Sequence, residues 1–361
     1  MIEFDFERLR ALGLTPALAA AATATDTGGS TATLQLMRLT EVHRESVRVH
    51  DGVQQHSARA APRLARALDD AQTALAVGDW VLAAADGAGS LTVHSLVPRV
   101  SHIARRDADG RRHPVVSNVD TALLVMGLDD DFNPRRLERY LALVHSSGVL
   151  PVVVLTKADV VAPAAVAEHI ATLRARVSAA LDVFAVNATE PGAAAALAPY
   201  AAAGQTLVLL GSSGAGKSTL TNTLLGAATQ DTGAVREHDG RGKHTTTTRS
   251  LLCLPGGACV VDTPGLRALR PDVDEATLSA SYADVEALAR QCRFRDCRHH
   301  DEPGCAVRQG IDADRLKNFH KLLREARRDT LNVFERQRQL ALWKARTKAS
   351  RVRQKEKVGD A

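Results

Sequence analysis

Short apolar runs alternate with longer amphipathic stretches over most of the chain after Pro114. This alternation is typical of a parallel sheet whose strands are covered by helices on both faces. The longer stretches predict helices over Arg135–His145, over Ala164–Leu181 and from about Ser218. The apolar runs predict the strands Ala122–Met126, Val152–Leu155, Val183–Val186, Thr206–Leu210, Leu251–Leu254 and Cys259–Val261.

The chain before this region has shorter apolar segments, which are separated by Gly and Pro. Turns at Asp51-Gly52 and Asp86-Gly87 punctuate the pattern. Regular short strands of this kind indicate a small β-barrel, although their periodicity alone does not identify an OB-type barrel. The predicted strands are Ala32–Leu39, Ser46–His50, Val81–Ala85 and Leu91–Leu96. The Ala- and Thr-rich residues that precede them predict a flexible N-terminal segment.

Beyond Pro271 the sequence becomes helical and then strongly basic. From Arg315 to Lys357 there are fifteen Lys or Arg residues against four Asp or Glu. So local an excess indicates a surface or tail that faces a polyanion, with a solvated helix as the alternative. The formal charge of the whole chain is only +5, which decides little by itself.

The remaining bulk properties concern membranes and redox state. No run of about 18 apolar residues predicts a membrane span. Glu3, Asp5 and Glu7 leave the N-terminus without the basic region of a secretory signal. The chain has five cysteines, an odd number, and three of them are clustered. This pattern suits a reduced compartment, so we expect a cytoplasmic protein.

A glycine-rich loop after the run Thr206–Leu210 matches the phosphate-binding pattern G-x-x-x-x-G-K-[ST]. Glycines let backbone N–H groups converge on phosphates, and the N-terminus of the following helix adds positive charge. Lys217 is predicted to contact the β- and γ-phosphates, and Ser218 to ligate Mg²⁺. The predicted nucleotide contacts of this loop are Gly211, Ser212, Ser213, Gly214, Ala215, Gly216, Lys217, Ser218 and Thr219. The loop does not by itself identify the base.

Two further motifs are expected to sense the γ-phosphate. Asp262 ends an apolar strand and begins the pattern D-x-x-G, in which Gly265 offers a backbone N–H. A run of threonines, Thr245–Thr248, lies between this motif and the phosphate loop. We favour Thr246 as the residue that closes over Mg²⁺, and the other threonines of the run stay open as alternatives.

The base is indicated by Thr156, Lys157, Ala158 and Asp159, which follow another buried-type strand. A carboxylate such as Asp159 accepts hydrogen bonds from guanine N1 and N2, whereas adenine lacks that pair of donors. The stem of Lys157 is predicted to pack over the base.

A second guanine contact is expected from the loop that holds Asn187 and Ala188, directly after the next predicted strand. Ser-Ala is the usual pair at that place. Together with the preceding motif, this loop predicts that the chain binds GTP and GDP.

The order of these motifs is rotated. In ordinary GTPases the phosphate loop comes first, whereas here the guanine motifs precede it. The rotated order of the motifs still allows the site to form, because the position of each strand in the sheet matters more than its place in the chain. Leu266 stands where many GTPases carry a water-orienting Gln, and it has no hydrogen-bonding group. We therefore hypothesise slow intrinsic hydrolysis and name His244 as a catalytic candidate, with an ordinary surface histidine as the alternative.

Three cysteines and one histidine lie within fourteen residues. Cys292, Cys297, His299 and Cys305 form the Cys₃His set of a structural Zn²⁺ site, one ion per chain, with no open position for catalysis. His300 is the competing ligand for the histidine position, and unligated thiols are the alternative. Cys253 and Cys259 fall in strand patterns and are predicted to be small core residues.

With these motifs assembled, the chain resembles the bacterial ribosome small-subunit-dependent GTPase A family from about Thr31 to the mid-300s. The matching stretches, besides the motifs above, are Val77–Trp80, Pro98-Arg99, Asn118–Asp120 and Asp131–Tyr140. The resemblance implies a GTPase that is stimulated by the small ribosomal subunit, binds its rRNA and assists its late maturation. Asn187 departs from the family pattern, in which Ser is usual at this position.

The resemblance also implies a multidomain fold: an N-terminal OB-like β-barrel, a central α/β circularly permuted P-loop GTPase and a C-terminal α-helical zinc-binding domain. We expect a monomer with Mg²⁺ and Zn²⁺ as cofactors and no membrane partner. The expected ranges are a flexible segment over 1–30, an RNA-binding barrel over 31–110, the GTPase over 111–272, the zinc-binding domain over 273–340 and a basic tail over 341–361.

Two other classes of function compete with this interpretation. A small-molecule kinase would have a phosphate loop but no use for the D-x-x-G and T-K-x-D motifs. A GTPase of tRNA modification or metal handling is suggested by the cysteine cluster, but four protein ligands leave no vacant position on the metal.

Overall fold

The structure is a computed structural model that describes residues 2–25, 33–85, 90–106, 112–226, 249–263, 270–271, 273 and 275–329. The chain divides into two compact units, Met1–Asp272 and Val273–Ala361. Among the described residues no helix combines the length and apolar character needed to cross a membrane. The predicted basic tail over 341–361 lies outside the described residues.

The first unit begins with two helices and a five-stranded barrel. Its first elements are β1 (Ile2–Glu3), α1 (Phe6–Arg10), α2 (Pro16–Ala24), β2 (Leu34–Val42), β3 (Val47–His50), β4 (Gln55–Ala60), α3 (Pro62–Asp70), β5 (Trp80–Ala85) and β6 (Leu91–Leu96). The barrel strands follow the order β2-β3-β4-β6-β5, and a β2–β5 pairing closes the ring. Within the barrel, β4 and β6 pair in parallel, and α3 lies between β4 and β5 in the chain, as in an OB-type barrel.

Residues 2–25 correct the prediction of a flexible segment over 1–30. Asp5 caps α1 by accepting the Arg8 N–H, and Thr15 caps α2 by accepting the Leu18 N–H. The side chains of Leu9, Leu12, Leu14 and Leu18 are at most 3% exposed, so this segment belongs to the core of the first unit. The Ala-rich composition of the segment concealed the contribution of these leucines to the core.

A doubly wound sheet follows a hairpin. The elements are β7 (His102–Arg106), β8 (Arg112–Ser117), β9 (Thr121–Gly127), α4 (Pro134–His145), β10 (Leu150–Thr156), α5 (Pro163–Arg174), β11 (Asp182–Ala185), α6 (Pro191–Leu197), β12 (Thr206–Leu210), α7 (Lys217–Leu225), β13 (Ser250–Cys253), β14 (Cys259–Asp262) and β15 (Arg270–Pro271). The sheet order is β11-β10-β9-β12-β14-β13, and every pairing except β13–β14 is parallel. The predicted fold class is confirmed.

The two largest differences from the predicted boundaries are at the end of α5 and at the end of the barrel. The predicted helix Ala164–Leu181 ends at Arg174, whose side chain donates to the Leu181 carbonyl oxygen and closes a turn. The barrel ends at Leu96, and the β7–β8 hairpin then runs across the predicted boundary between residues 110 and 111. Its strand β7 pairs with β15 in a separate three-stranded sheet.

Three of the stretches that carried the resemblance meet beside the barrel. Asp79 is fully buried and accepts hydrogen bonds from Arg99 Nε at 2.7 Å and Ser117 Oγ at 2.5 Å. Asn118 Nδ2 donates to the Gly78 carbonyl oxygen at 3.0 Å. A Cβ on Gly78 would lie 2.1 Å from the Ser117 carbonyl oxygen, so only glycine fits there. These stretches therefore hold the barrel against the start of the GTPase sheet.

Arg38 on β2 is fully buried at the same junction. Its guanidinium donates to the carbonyl oxygens of Leu12, Gly78 and Asn118 and to Thr206 Oγ1. Burial lowers the pKa of Arg38, although neighbouring acidic groups oppose the change. One cation thus joins the N-terminal helices, the barrel and the first residue of β12.

The second unit is helical and contains α8 (Glu275–Ser281), α9 (Ala283–Ala289), α10 (Ala306–Gly310) and α11 (Ala313–Asp329). Tyr282, Val285 and Leu322 are at most 2% exposed and form part of its core. Arg315 Nη2 pairs with Asp284 Oδ1 at 2.9 Å, and the Arg315 guanidinium carbon lies 4.6 Å from the centre of the Tyr282 ring.

Arg38→Met is expected to lower the free energy of unfolding of the first unit by about 3 kcal/mol or more, because buried oxygen acceptors each cost about 1–3 kcal/mol when they lose a donor. Urea unfolding followed by circular dichroism would measure the change. The control is Arg48→Met on β3, whose side chain is 54% exposed and whose ion pair with Glu41 contributes at most about 1 kcal/mol. Equal losses in the two variants would contradict the role given to Arg38.

Candidate functional site

The phosphate loop leaves the end of β12 and enters the N-terminus of α7. Gly214 and Gly216 have φ angles of +81° and +89°, a conformation that glycine adopts without a steric penalty. A Cβ on Gly211 would lie 2.3 Å from the Val125 carbonyl oxygen, so β9 passes directly beneath the start of the loop. The glycines of the motif are thus required by backbone shape.

Lys217 is the first residue of α7 and is 6% exposed. Its Nζ donates to the carbonyl oxygens of Ser212 at 2.7 Å and Gly211 at 3.1 Å, so the ammonium group is held against the loop. Burial lowers the pKa of Lys217, and the negative charges of Asp262 and Asp131 oppose that change. A buried cation at this place is suited to bind phosphate oxygens.

Ser218 and Asp262 bring two oxygen groups together beside the phosphate loop. Asp262 ends β14 and is 1% exposed, and its Oδ2 lies 3.5 Å from Ser218 Oγ. Hydroxyl and carboxylate oxygens are ligands that Mg²⁺ prefers, either directly or through water. The residues present therefore fit a magnesium ion bound beside the phosphate loop.

The guanine motif contacts the phosphate loop directly. Thr156 Oγ1 donates to the Ala215 carbonyl oxygen at 2.7 Å, and a Cβ on Gly216 would lie 3.1 Å from the same hydroxyl oxygen. Lys157 follows with a left-handed φ of +61°, and Asp159 is exposed two residues later. The two motifs, which lie far apart in the chain, therefore border one site at the carboxyl ends of β10 and β12.

The auxiliary loop lies beside them. The Ala158 N–H donates to the Val186 carbonyl oxygen at 3.3 Å, and Thr223 Oγ1 on α7 donates to the Ala188 carbonyl oxygen at 2.5 Å. Asn187 Oδ1 accepts from the Thr189 backbone N–H at 3.0 Å and stabilises the turn. Asn187 therefore has a local structural role that its predicted guanine contact did not include.

The remaining predicted site residues fall into two groups. Ser213 and Thr219 are half-buried members of the phosphate loop and of the first turn of α7. His244, Thr246 and Gly265 lie outside the described residues, as does Leu266.

Sequence reasoning gave no role to the acidic residues that follow β9. Ser212 Oγ donates to Asp131 Oδ1 at 2.5 Å, and Lys157 Nζ pairs with Asp129 Oδ2 at 2.6 Å. A signal was present, because polar residues at the carboxyl end of a parallel strand border the ligand crevice of such sheets.

The structure brings Cys292, Cys297, His299 and Cys305 together, with one potential ligand atom of each within 4.8 Å of the others. The Sγ atoms of Cys292 and Cys305 are 3.9 Å apart and lie 3.6 Å and 3.4 Å from His299 Nδ1. A tetrahedral ion with metal–sulfur bonds of about 2.3 Å and metal–nitrogen bonds of about 2.0 Å has such edges at about 3.8 Å and 3.5 Å. The four residues therefore fit one metal ion in a closed tetrahedral site, in which the protein supplies all four ligands.

Two details concern the neighbours of this cluster. His300 stacks on His320 with ring centres 4.3 Å apart and is not part of the group, so His299 takes the histidine position. Burial lowers the pKa of His299, which favours the neutral imidazole that a metal requires. Of the cysteines predicted to be core residues, Cys259 is buried but Cys253 is exposed, because it lies at the end of β13 next to a turn.

Comparisons with known proteins agree on one family. The family model described as RsgA GTPase matches residues 96–271. A relative from Xanthomonas axonopodis pv. citri is 47% identical over 296 residues, which are 80% of this chain and 80% of the relative. Another from Xanthomonas campestris pv. campestris is 48% identical over 293 residues, 79% of each chain. Both are named small ribosomal subunit biogenesis GTPase RsgA.

Two solved structures share the fold. The chain is similar to YjeQ from Thermotoga maritima with a TM-score of 0.57 and 22% identity, covering 81% of this chain and 98% of that one. It is also similar to YloQ, a circularly permuted GTPase, with a TM-score of 0.57 and 20% identity, covering 84% of this chain and 99% of that one.

Gly211→Ala is expected to lower the free energy of unfolding by about 1–3 kcal/mol, because the new methyl group overpacks the contact between β9 and the phosphate loop. We also expect weaker binding of fluorescent GTP analogues. Urea unfolding and fluorescence titration would measure both effects. Gly192→Ala is the control, since a Cβ there has no atom within 4 Å. A Gly211→Ala protein as stable as the Gly192→Ala protein would refute the close approach.

Proposed function

This chain belongs to the RsgA GTPase family and is a GTP-hydrolysing enzyme, and we propose that its GTPase cycle serves the biogenesis of the small ribosomal subunit. The names of its Xanthomonas relatives support this role, and the chain matches them over about four fifths of its length. The observation that carries the nucleotide part is the 2.7 Å hydrogen bond from Thr156 to Ala215, which joins the guanine motif to the phosphate loop.

Binding of GTP follows from the two ends of the site. The backbone N–H groups of the loop around Gly214 and the cation of Lys217 attract the phosphate chain. We assign Asp159 to accept hydrogen bonds from guanine N1 and N2, and an adenine base would leave that carboxylate without a donor. Thr156, Lys157, Ala158, Asn187 and Ala188 complete the base end of the site.

Hydrolysis requires water to attack the γ-phosphorus while the bond to the β–γ bridging oxygen breaks, which gives GDP and phosphate. Ser218 and Asp262 are the residues that would hold Mg²⁺ during this step. When bound there, magnesium supplies neutralisation of the phosphate charge. Lys217 adds a fixed positive charge beside the phosphate oxygens.

The groups that act on the water are assigned from the sequence alone. We assign Gly265 to the γ-phosphate, Thr246 to magnesium and His244 to the organisation of the water. Leu266 offers no hydrogen bond to that water. We therefore propose slow intrinsic hydrolysis that the small subunit stimulates.

Zinc is the metal that the cysteine cluster fits best. Three thiolates and one imidazole at tetrahedral spacing form a closed set, which is typical of structural zinc. A closed set also disfavours the alternative of a GTPase that handles metal ions, since such a protein needs an exchangeable position. We assign the ion to folding of the second unit.

The partner in this proposal is the small ribosomal subunit and its rRNA. The OB-type barrel belongs to a class of fold that binds nucleic acids, and the basic residues after Arg315 provide charge for a polyanion. We take the chain to act in the cytoplasm, where bacteria assemble their small subunits. We also take it to act as a monomer.

GTP turnover is expected to rise when purified small subunits are added, and not with large subunits, tRNA or buffer.

A matched variant is Asp159→Asn, whose amide suits the C2 carbonyl of xanthine. We expect it to lose about 100-fold in GTP affinity, because two hydrogen bonds to a charged group are lost, and to hydrolyse xanthosine triphosphate with the same stimulation. Equal stimulation by large subunits would contradict the ribosomal role, and equal use of ATP and GTP by the wild type would contradict the nucleotide assignment.

The purified chain is expected to contain one zinc ion, measured by plasma mass spectrometry. Cys297→Ser should lose most of the zinc and destabilise the second unit, because an ion bound only in the folded state contributes to its stability. Cys253→Ser is the control, since this exposed cysteine lies outside the cluster. Full zinc content in the Cys297→Ser protein would exclude the assigned ligand set.

A further inference from the structure

The loop that joins β9 to α4, residues 128–133, contacts both ends of the nucleotide site. It contains three consecutive aspartates, Asp129, Asp130 and Asp131. The side chains of the first and third contact functional motifs, whereas Asp130 is exposed. None of the nucleotide motifs accounts for this loop, although it follows the strand that lies next to β12 in the sheet.

Asp131 is held in place by three donors. Its Oδ1 accepts hydrogen bonds from Ser212 Oγ and Arg136 Nη2, both at 2.5 Å. Its Oδ2 accepts the Gly127 backbone N–H at 3.1 Å. The Asp131 side chain is 15% exposed, so these bonds are partly shielded from water. This carboxylate is therefore a fixed group beside the second residue of the phosphate loop.

The contact continues from Ser212 to the phosphate-binding cation. The Ser212 carbonyl oxygen accepts from Lys217 Nζ at 2.7 Å. A change in the position of Ser212 would therefore move one of the groups that orient Lys217. Burial is the main cause that lowers the pKa of Lys217, while the charge of Asp131 raises it and that of Arg136 lowers it further.

Asp129 forms the corresponding contact at the base end. Its Oδ2 pairs with Lys157 Nζ at 2.6 Å, and Lys157 has the left-handed backbone angle of +61°. Desolvation opposes the shift, but the hydrogen bond and charge of Lys157 lower the pKa of Asp129. The ion pair restricts the side chain that is assigned to cover the guanine base.

We propose that the β9–α4 loop is a positioning element of the GTPase site, in which Asp131 fixes the phosphate loop through Ser212 and Asp129 orients Lys157 at the base. The proposal rests on the nucleotide site assigned under the proposed function. Neither aspartate touches the reacting atoms. Each acts through a residue that contacts the nucleotide, and each acts on a different part of it.

Two opposing effects decide the outcome of removing the Asp131 charge. Asparagine removes a negative charge near the phosphates, which by itself would tighten anion binding in a way that salt screens. It also replaces one acceptor oxygen by an NH₂ donor, so it cannot accept from Ser212, Arg136 and Gly127 together. Because the hydrogen bonds are short and partly buried, we expect the loss of position to dominate.

The test measures the affinity of GTP, GDP and GMP by fluorescence titration, together with kcat and KM for GTP. Asp131→Asn is expected to weaken GTP and GDP binding about 10-fold, the effect of one hydrogen bond to a charged group, with little change for GMP. Its kcat should fall as well, since the phosphate loop also positions the reacting group. Asp129→Asn should weaken all three nucleotides to a similar extent, because they share the base.

Asp130→Asn is the matched control, since it removes the same charge from the same loop at a position without a hydrogen bond or ion pair to any described residue. It should leave affinity and kcat unchanged. Ser212→Ala is a second variant, which removes only the hydroxyl group that donates a hydrogen bond to Asp131. It should give the Asp131→Asn pattern, and the double variant should be no worse than Asp131→Asn alone, as expected for residues that act as one unit.

The possible results distinguish a failure of the positioning role from a failure of the nucleotide-binding function. A wild-type protein that binds no guanine nucleotide would overturn both. Normal wild-type binding with unchanged or tighter GTP binding by Asp131→Asn and Ser212→Ala would overturn only the positioning role. Additive losses in the double variant would also overturn it, because Asp131 would then act by a route other than Ser212. Tighter GTP binding by Asp131→Asn that disappears at high salt would overturn it as well, because the carboxylate would then act only through its charge.

Discussion

The arrangement of the first unit depends on one buried cation. Arg38 holds oxygen atoms from the N-terminal helices, the barrel and the GTPase sheet, namely those of Leu12, Gly78, Asn118 and Thr206. A fully buried guanidinium is costly unless its donors are satisfied, so these segments are stable only when they meet. Because Thr206 begins β12, the same contact sets the position from which the phosphate loop starts. Barrel and nucleotide site are thereby parts of one structure.

The nucleotide site depends on which strands are neighbours and not on their order in the chain. Strand β12 lies between β9 and β14 in the sheet, and β10 lies beyond β9. Gly211 packs on Val125 of β9, and Thr156 at the end of β10 reaches Ala215 in the phosphate loop. A chain whose guanine motifs come first can therefore build the same crevice, since parallel strands present their carboxyl ends at one edge.

The sequence predicted the sheet well because strands buried on both faces are continuous apolar runs, as in Val152–Leu155 and Thr206–Leu210. It missed β4, whose sequence Gln-His-Ser-Ala-Arg-Ala has no apolar alternation, and it missed the N-terminal helices, whose leucines are spaced among alanines. The site motifs could be predicted because each residue type has a chemical reason at its place. The contacts of Asp131 could not, because they depend on how β9 and β12 pack.

The two units show different ways to order irregular backbone. In the first unit, the buried Arg38 donates to loop carbonyl oxygens and the buried Asp79 accepts from a loop N–H group, and a large core surrounds them. In the second unit, residues 290–305 between α9 and α10 form neither helix nor strand, and all four candidate metal ligands lie there. A small helical unit buries too little apolar surface to fix such a segment by packing alone. An ion held by the four candidate ligands would replace the missing contacts with four strong bonds, which agrees with the position of the cysteines in a segment without helix or strand.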